Sequence, residues 1–323
     1  MYLASATFGG LGRTFEEEME IYNELAVKFM EVPVGEPGIF GRNPPFAGYT
    51  TNLISGMWPR GSYPWEYVDP ATGWPSWALK ELIESYGVKV SSFYHANEPL
   101  NYDPIKQRWE IKKVKGLCKM ANKWDVKIIR IHGGGPMLGV KFVPAPRPRW
   151  TGGLWEMGIE EVVDLIVAQF KEYVKYAEEY GVDLAMENHF AILQDADRCI
   201  RIVEEVGSDR LGLNNDTGNW RTLHSTEWME AAFKKLAPYT ISTHIKDGKR
   251  GYCPFEVRGP MSRIGWGEGT IIGQGEVPIR TCIQELKKVG YKGPLNIHGG
   301  CADPRVSRFE WFKKSVEYVK SCL

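Results

Sequence analysis

The chain has 323 residues and a formal net charge of zero, with 40 lysines and arginines against 40 aspartates and glutamates. This balance argues against bulk electrostatic attraction to nucleic acid or to an anionic membrane. No segment reaches the roughly 20 apolar residues of a membrane span, and the N-terminus lacks the pattern of a signal peptide, so we expect a cytoplasmic protein. The six cysteines form no C-x-x-C pair, which predicts free thiols.

Strand-like and helical segments alternate along the whole chain. Apolar runs typical of strands cover residues 1–8, 27–34, 88–96, 125–133, 182–188, 210–216, 240–247 and 294–299. Helical periodicity covers residues 14–26, 76–87, 104–124, 158–181, 195–207, 225–237, 277–290 and 303–323. Thr14 and Ser76 stand where N-caps are expected, and Gly87 follows the end of the second helix.

This alternation predicts the fold class. Strands that are separated by helices run parallel, and eight such units favour a closed (β/α)8 barrel, a TIM barrel of the α/β class. We expect one domain over residues 1–323. A dinucleotide-binding sheet is disfavoured because no G-x-G-x-x-G follows a strand.

Three connections are longer than turns and all follow strands. They cover residues 33–75, 133–155 and 247–275, and the first carries Trp58 among several aromatic residues. In a barrel they lie over one face, where long loops shape a substrate pocket, so we expect them to form its walls. Decoration or an oligomer contact is the alternative.

Most of the histidines share one kind of position. Five of the six close a predicted strand, and a lone histidine there is usually structural. Five at the carboxyl ends of barrel strands indicate chemistry, because barrel enzymes place their active sites at that rim. These residues are His95, His132, His189, His244 and His298.

Carboxylates join the histidines at the same strand ends. Glu31, Glu187 and Asp216 end strands two, five and six. Glu187 and His189 are two residues apart, as are His244 and Lys246, so we expect each pair to share a face of its strand. A mixed nitrogen and oxygen set suits Mn²⁺, Zn²⁺, Co²⁺ or Fe²⁺ better than Ca²⁺. A hydrogen-bonded polar plug without an ion is the alternative.

Six short motifs carry a resemblance to a known family. They are "FMEV" at 29–32, "ENH" at 187–189, "NNDTGN" at 214–219, "HIKD" at 244–247, "GQGEV" at 273–277 and "GYKGPLNI" at 290–297. Each motif is weak alone, but their order and spacing are specific. The chain resembles the xylose-isomerase-like TIM barrels, or sugar phosphate isomerase/epimerase family, over nearly its whole length.

The resemblance implies one divalent ion, Mn²⁺ above all, held by a glutamate, an aspartate, a histidine and a second glutamate. Carried over by motif, the first three are Glu187, Asp216 and His244. The chain departs from the family at the fourth, where His298 stands, and Asn219 stands where the family often has a histidine.

His298 changes the expected chemistry. Family epimerases use the two glutamates as opposed acid and base, and an imidazole makes that symmetrical reaction less favoured. Proton abstraction next to a carbonyl can still lead to isomerisation or to elimination. The family includes dehydratases, other lyases and the catalytic subunits of C-glycoside deglycosidases, which act on 3-keto-glycosides, and the Trp-rich first loop suits an aromatic aglycone. An ordinary keto–aldose isomerase or ketose epimerase is the alternative.

We expect Glu187, His189 and Lys246 to be catalytic. His189 is otherwise a prop for Glu187, and Lys246 otherwise an ion-pair partner of Asp247 or Glu187. The residues expected to contact substrate are Glu31, His95, His132, Asn219 and Trp58.

Two other classes stay open at this point. A metal-dependent abasic-site endonuclease shares the barrel but needs a basic DNA-facing surface, and a non-catalytic sugar-binding barrel needs no ion. The expected partners are a sugar or glycoside and either further copies of the chain or, as in the deglycosidases, a small β-rich subunit.

Overall fold

The computed structural model of the protein describes most of the chain. It covers residues 1–6, 11, 15–34, 75–95, 104–133, 158–189, 191–222, 224–249 and 269–323.

Eight parallel strands close into a barrel in sequence order, with β1 paired to β8. The strands are β1 Tyr2–Ser5, β2 Phe29–Pro33, β3 Lys89–His95, β4 Ile128–His132, β5 Asp183–Glu187, β6 Leu211–Asp216, β7 Thr240–Ile245 and β8 Pro294–Ile297. The register brings the last residues of neighbouring strands side by side, as in the pairs His132 with Glu187 and Asp216 with His244. The predicted TIM barrel is therefore confirmed.

A helix precedes or follows each strand in the described part of the chain. The helices are α1 Phe15–Glu24, α2 Trp77–Ser85, α3 Pro104–Trp124, α4 Ile159–Tyr180, α5 Ala196–Val206, α6 Thr226–Leu236, α7 Ile279–Lys288 and α8 Arg308–Cys322.

Local side-chain bonds fix where several helices begin. Asp195, Ser225 and Ser307 each accept a hydrogen bond from the backbone N–H three residues on, which satisfies one of the unpaired donors of a helix start. Ser76 holds the N-cap position of α2 without such a bond, and Gly87 follows that helix with a φ of 71°. Thr14 lies outside the described residues.

The main core lies between the strands and the surrounding helices. Fully buried aromatic side chains such as Phe170 in α4, Phe233 in α6 and Phe312 in α8 pack against the outward-facing aliphatic residues of the strands. Burial of one such ring contributes about 1.5–3 kcal/mol, so this layer supplies most of the driving force for closing the barrel. Polar side chains are thereby left to the barrel interior and its rim.

The five described cysteines are free, as predicted. Cys118, Cys199, Cys282 and Cys322 are buried, whereas Cys301 is partly exposed. Burial raises the pKa of Cys118 to about 12. Cys253 lies outside the described residues.

Among the described helices, none combines the length and the apolar character needed to cross a bilayer. The three long connections fall largely on residues 35–74, 134–157 and 250–268, outside the described part of the chain. Their role as pocket walls stays a prediction, as does the single-domain organisation of the whole chain.

Candidate metal and catalytic site

Three of the predicted ligands meet at the carboxyl ends of the last strands. Asp216 ends β6, His244 lies one residue before the end of β7, and His298 follows β8. One ligand atom from each of the three lies within 4.8 Å of the others. Glu187, at the end of β5, joins this group through Oε1, which is 3.5 Å from Nδ1 of His244.

Both imidazoles have one nitrogen engaged by a fixed acceptor. Nε2 of His244 donates to Oε1 of Glu31 at 3.2 Å, and Nδ1 of His298 donates to the carbonyl oxygen of Ala6 at 2.9 Å. Metal-binding histidines are usually oriented in this way, because the bond at one ring nitrogen fixes the tautomer and leaves the other nitrogen for the ion.

The carboxylate of Asp216 is held by one oxygen. Its Oδ1 accepts hydrogen bonds from the backbone N–H groups of Gly218 at 3.0 Å and Asn219 at 3.1 Å. Asn188 bonds both the N–H of Asp216, at 2.7 Å, and its carbonyl oxygen, at 3.1 Å, and so fixes the backbone. The second oxygen, Oδ2, is thereby directed at the histidines.

These contacts leave two buried atoms unsatisfied. Within the described residues, Oδ2 of Asp216 and Nδ1 of His244 have no hydrogen-bond partner, and they lie 3.7 Å apart. Two ligands that share an ion at about 2.1 Å and a tetrahedral angle lie about 3.4 Å apart. The separations of His244 Nδ1 from Asp216 and Glu187 are close to this value, so the residues fit a divalent ion.

The electrostatics of the two histidines are opposite. Burial and Arg130 oppose protonation of His244, but Glu31, Asp216 and Glu187 outweigh them and raise its pKa to about 10. Burial together with the charges of His244 and Lys246 lowers the pKa of His298 to about 3. In the absence of an ion, these shifts favour a protonated His244, which adds to the charges of Arg130 and Lys246, and a neutral His298.

Glu31 is buried, and protein donors engage both of its carboxylate oxygens. Its two oxygens accept from Nε of Arg130 at 3.0 and 3.1 Å, and Oε2 also accepts from Ser92 at 3.1 Å. Burial opposes its ionisation, yet Arg130 and His244 lower the pKa of Glu31 to about 2. Its contacts make it a support for His244.

Arg130 is the main residue that the sequence reasoning missed. It lies in β4, is buried, and bonds Glu31 on one side and Glu187 on the other. The signal was an arginine inside the apolar run "KIIRIHG", because a buried charge in a strand requires ionic partners.

Two histidines line the side of the site next to Glu187. The ring of His132 stacks on that of His189 with centroids 5.0 Å apart, and its Nε2 lies 3.2 Å from the hydroxyl of Tyr94 and 3.4 Å from Oε2 of Glu187. Burial, opposed by Glu187, acts with the charges of His132 and Lys246 to lower the pKa of His189 to about 4. His189 is neutral near pH 7 and able to accept a proton.

His189 and Lys246 lie just beyond the ends of their strands, so the prediction that each shares a strand face with its neighbour is wrong. Strand β5 ends at Glu187, and the N–H of His189 donates to the carbonyl oxygen of Glu187 at 2.8 Å in a tight turn. Strand β7 likewise ends at Ile245. Both residues reach the rim through the geometry of the turn that follows the strand, because strand alternation stops before them.

Lys246 lies next to Asp216, whereas His132 lies next to Glu187. Its Nζ donates to Oδ1 of Asn219 at 3.0 Å and lies 3.6 Å from Oδ2 of Asp216. The ammonium group thus pairs with Asp216, rather than with the expected Asp247 or Glu187. Asn219 is part of the site through this contact.

His95 is not brought to the cluster. Its Nε2 lies 3.6 Å from Oε2 of Glu110 in α3, and both side chains are buried between the barrel and that helix. A role in contacting substrate gains no support from these contacts. Trp58 lies outside the described residues.

Asp247, the residue after Lys246, binds backbone N–H groups of the segment 273–277. Its carboxylate accepts backbone hydrogen bonds from Gly273 at 2.8 Å, Gly275 at 2.9 Å and Val277 at 3.2 Å, and from Gly248 at 2.7 Å. A Cβ at Gly275 would lie 2.0 Å from this carboxylate, so only glycine allows the approach. The "GQGEV" segment is therefore tied to the end of β7.

Comparison with known proteins identifies the family. The model of the xylose isomerase-like TIM barrel family matches residues 58–322. The chain belongs to this family, which confirms the resemblance found in the motifs.

Individual similarities are distant. The rhizopine catabolism protein MocC of Rhizobium meliloti is 23% identical over 258 residues, which are 77% of this chain and 70% of MocC. Solved structures resemble this chain over nearly its whole length. One of them is a zinc-bound IOLI protein, with a TM-score of 0.62, 16% identity and coverage of 100% of this chain and 98% of that one.

Two further structures represent different reactions within the same fold. A D-psicose 3-epimerase from Clostridium cellulolyticum H10, solved with D-tagatose, has a TM-score of 0.60 at 13% identity, with 100% of this chain and 98% of that one covered. A probable 3-DHS dehydratase, AsbF of Bacillus anthracis, has a TM-score of 0.60 at 12% identity, with 99% of each chain covered. At these identities the likeness shows the fold alone.

Proposed function

We propose that this protein is a divalent-metal-dependent enzyme that removes a proton from the carbon next to the carbonyl of a sugar or glycoside. The observation that carries the proposal is the pair of buried atoms, Asp216 Oδ2 and His244 Nδ1, that lack hydrogen-bond partners in the described structure. Unpaired buried polar atoms are costly, and a cation between them removes that cost.

Glu187, Asp216, His244 and His298 would hold the ion, with Mn²⁺ the first expectation and Zn²⁺, Co²⁺ or Fe²⁺ the others. When bound, the ion supplies Lewis-acid polarisation of a carbonyl or hydroxyl oxygen. A zinc-bound structure among the similar proteins supports the presence of a metal, though it does not choose one.

The residues beside the ligands have complementary roles. His189, neutral near pH 7, takes the proton from the substrate carbon, and Lys246 holds the oxygen on which negative charge develops. His132, Asn219 and Trp58 are proposed to contact substrate hydroxyls. Burial of Glu187 is outweighed by Arg130 and by hydrogen bonds from His132 and His244, which hold its pKa well below the usual range, so Glu187 stays ionised as a ligand for the ion.

A single base favours elimination or one-base isomerisation over two-base epimerisation. In the elimination, the C–H electron pair forms the enolate. When the enolate returns to the carbonyl, its C=C pair forms a new double bond between the α and β carbons, and the bond to the β-substituent breaks with the departing group keeping the electron pair. The departing group, an aglycone in a 3-keto-glycoside, takes up a proton. In isomerisation the enolate is instead protonated on the former carbonyl carbon, and the α-hydroxyl group loses its proton to become the new carbonyl.

Product analysis in deuterated water tests the proposal. The protein is loaded with Mn²⁺ and incubated with 3-keto-glycosides and with free ketoses, beside His189→Gln and Lys246→Met. Lys235→Met serves as a control, because that lysine pairs with Asp197 on the surface.

Released aglycone indicates elimination, and solvent deuterium in a recovered sugar indicates isomerase chemistry. Either product should form only when the ion is present. Its rate of formation should decrease in the His189 and Lys246 variants and stay unchanged in the Lys235 variant. Turnover that survives removal of the ion, or metal-loaded protein inert toward both substrate classes, would contradict the proposal.

A further inference from the structure

Arg130 is a buried cation at the centre of the site's charge network. Its Cα is in register with Tyr94 of β3 and Ala185 of β5, and its guanidinium lies 3.6 Å from the centroid of the Tyr94 ring. The charges of Glu187 and Glu31 raise the pKa of Arg130 in spite of its burial, so it stays charged. One fixed positive charge therefore lies between two buried carboxylates.

The two oxygens of Glu187 have different neighbours. Oε2 accepts a hydrogen bond from Nη1 of Arg130 and also lies 3.4 Å from Nε2 of His132. Oε1 is the oxygen near His244 Nδ1, at 3.5 Å. Arg130 thus occupies one oxygen of Glu187 and leaves the other for an ion.

The same guanidinium reaches His244 through Glu31. Nε and Nη2 of Arg130 lie 3.0 and 2.9 Å from Oε1 of Glu31, the oxygen that accepts the Nε2–H of His244. That bond selects the tautomer of His244 in which Nδ1 is the free ligand atom. Two of the four ligands therefore take their orientation from one arginine.

We propose that Arg130 is a positioning residue of the metal site: its fork fixes Glu187 as a ligand through Oε1 and, through Glu31, presents Nδ1 of His244. The inference rests on the proposed function, because it concerns the same ion. It depends on the planar fork as well as on charge, since a lysine ammonium cannot engage both carboxylates in this geometry.

Arg130→Lys separates positioning from simple charge neutralisation. We expect it to weaken Co²⁺ binding by about 10–100-fold, the usual effect of losing a partner that orients a ligand. The visible absorption spectrum of bound Co²⁺ should change. In steady-state kinetics, the decrease in kcat should be larger than any change in KM. The probes are Co²⁺ titration of the metal-free protein, its visible spectrum and steady-state kinetics.

Arg201→Lys is the matched control. Like Arg130, which contacts two carboxylates, Arg201 contacts several, those of Glu160, Asp164 and Glu205, but it does so on the outer surface between α4 and α5. It should leave Co²⁺ affinity and spectrum unchanged.

Glu31→Gln keeps the inference testable should the arginine variant fail to fold. The amide keeps the shape but offers one acceptor oxygen in place of two, so Co²⁺ binding should again weaken and its spectrum change. Wild-type affinity and spectrum in either folded variant would overturn the role of Arg130. Failure of the wild-type protein itself to bind Co²⁺ would overturn the proposed function and this inference together.

Discussion

The two sides of the barrel rim satisfy their polar groups in different ways. On β2 to β4, Glu31, Ser92, Arg130 and His132 bond one another or Glu187, and we call this the clamp side. At the carboxyl ends of β6 to β8, the ligand side consists of Asp216 and His244, which lie in strands, and Lys246 and His298, which follow strands. Within the described residues, the ligand side retains two buried atoms without hydrogen bonds, Asp216 Oδ2 and His244 Nδ1.

The difference shows which part of the site the protein completes by itself. The clamp side carries its own cation, Arg130, and is assembled when the chain folds. In the part of the chain that the structure describes, Asp216 Oδ2 and His244 Nδ1 on the ligand side lack hydrogen bonds, and these are the atoms that the proposed ion would satisfy. Glu187 lies between the two, with one oxygen on each side.

The largest expected effect is the loss of a ligand. Asp216→Asn should weaken binding of Co²⁺ or Zn²⁺ by more than about 100-fold, because changes to supporting residues alone cost about 10–100-fold. Metal titration of the metal-free protein measures the loss. Asp197→Asn, at an exposed aspartate of α5, should bind like the wild type. Unchanged affinity in Asp216→Asn would remove the distinction between the two sides.

The second effect concerns the support behind the ligand side. Asp247→Ala leaves four backbone N–H groups without their acceptor, and each buried unpaired group costs about 1–3 kcal/mol. We expect the free energy of unfolding to fall by about 3 kcal/mol or more in urea denaturation. Asp164→Ala, at an exposed ion pair, should stay within about 0.5 kcal/mol. Equal stabilities would show that the "GQGEV" segment needs no anchor.

The affinity for the ion should depend on pH, because His244 on the ligand side must lose a proton before it binds. The pKa of His244 is raised to about 10 without an ion, so an incoming ion must displace its proton from Nδ1. Affinity should rise about tenfold per pH unit between pH 6 and 8 and level off above about pH 10. His298, with a pKa lowered to about 3, adds no proton in this range.

Calorimetry in buffers of different ionisation enthalpy counts the released protons. We expect about one per ion near pH 7. A count of zero would mean that His244 is already deprotonated, and a count of two would mean that a second group of the site also loses a proton.

The smallest effect is a change of metal preference. His298→Glu restores the carboxylate common in the family, and carboxylates suit Mn²⁺ and Mg²⁺ whereas imidazole suits Zn²⁺. The ratio of Mn²⁺ to Zn²⁺ affinity should increase on the order of tenfold. His298→Gln supplies a neutral oxygen as the control for charge. An unchanged ratio would indicate that His298 takes no part in binding the ion.

The fold was predictable because its signals are local. Helical and strand periodicities keep alternating on both sides of the three long connections, and parallel pairing follows from the crossovers. Asp216, His244 and His298 were also predictable, because the ends of parallel strands meet at one rim.

Side-chain direction was harder to predict. Alternation states that Arg130 and His132 share a face of β4, but the sequence alone does not state which face points into the barrel. The same ambiguity explains His95. Its neighbour Tyr94 faces His132 and Arg130, which turns His95 toward Glu110 and α3. His189 was placed on a strand that in fact ends at Glu187.

Among the described cysteines, Cys301 is the one suited to chemical labelling close to the candidate site. Four of the five described cysteines are buried, and burial raises the pKa of Cys118, Cys199 and Cys282 further away from the reactive thiolate. Cys301 is partly exposed and lies three residues beyond His298. With Cys253 replaced by serine, a fluorophore attached at Cys301 would therefore report directly on events at the rim, without an engineered attachment point.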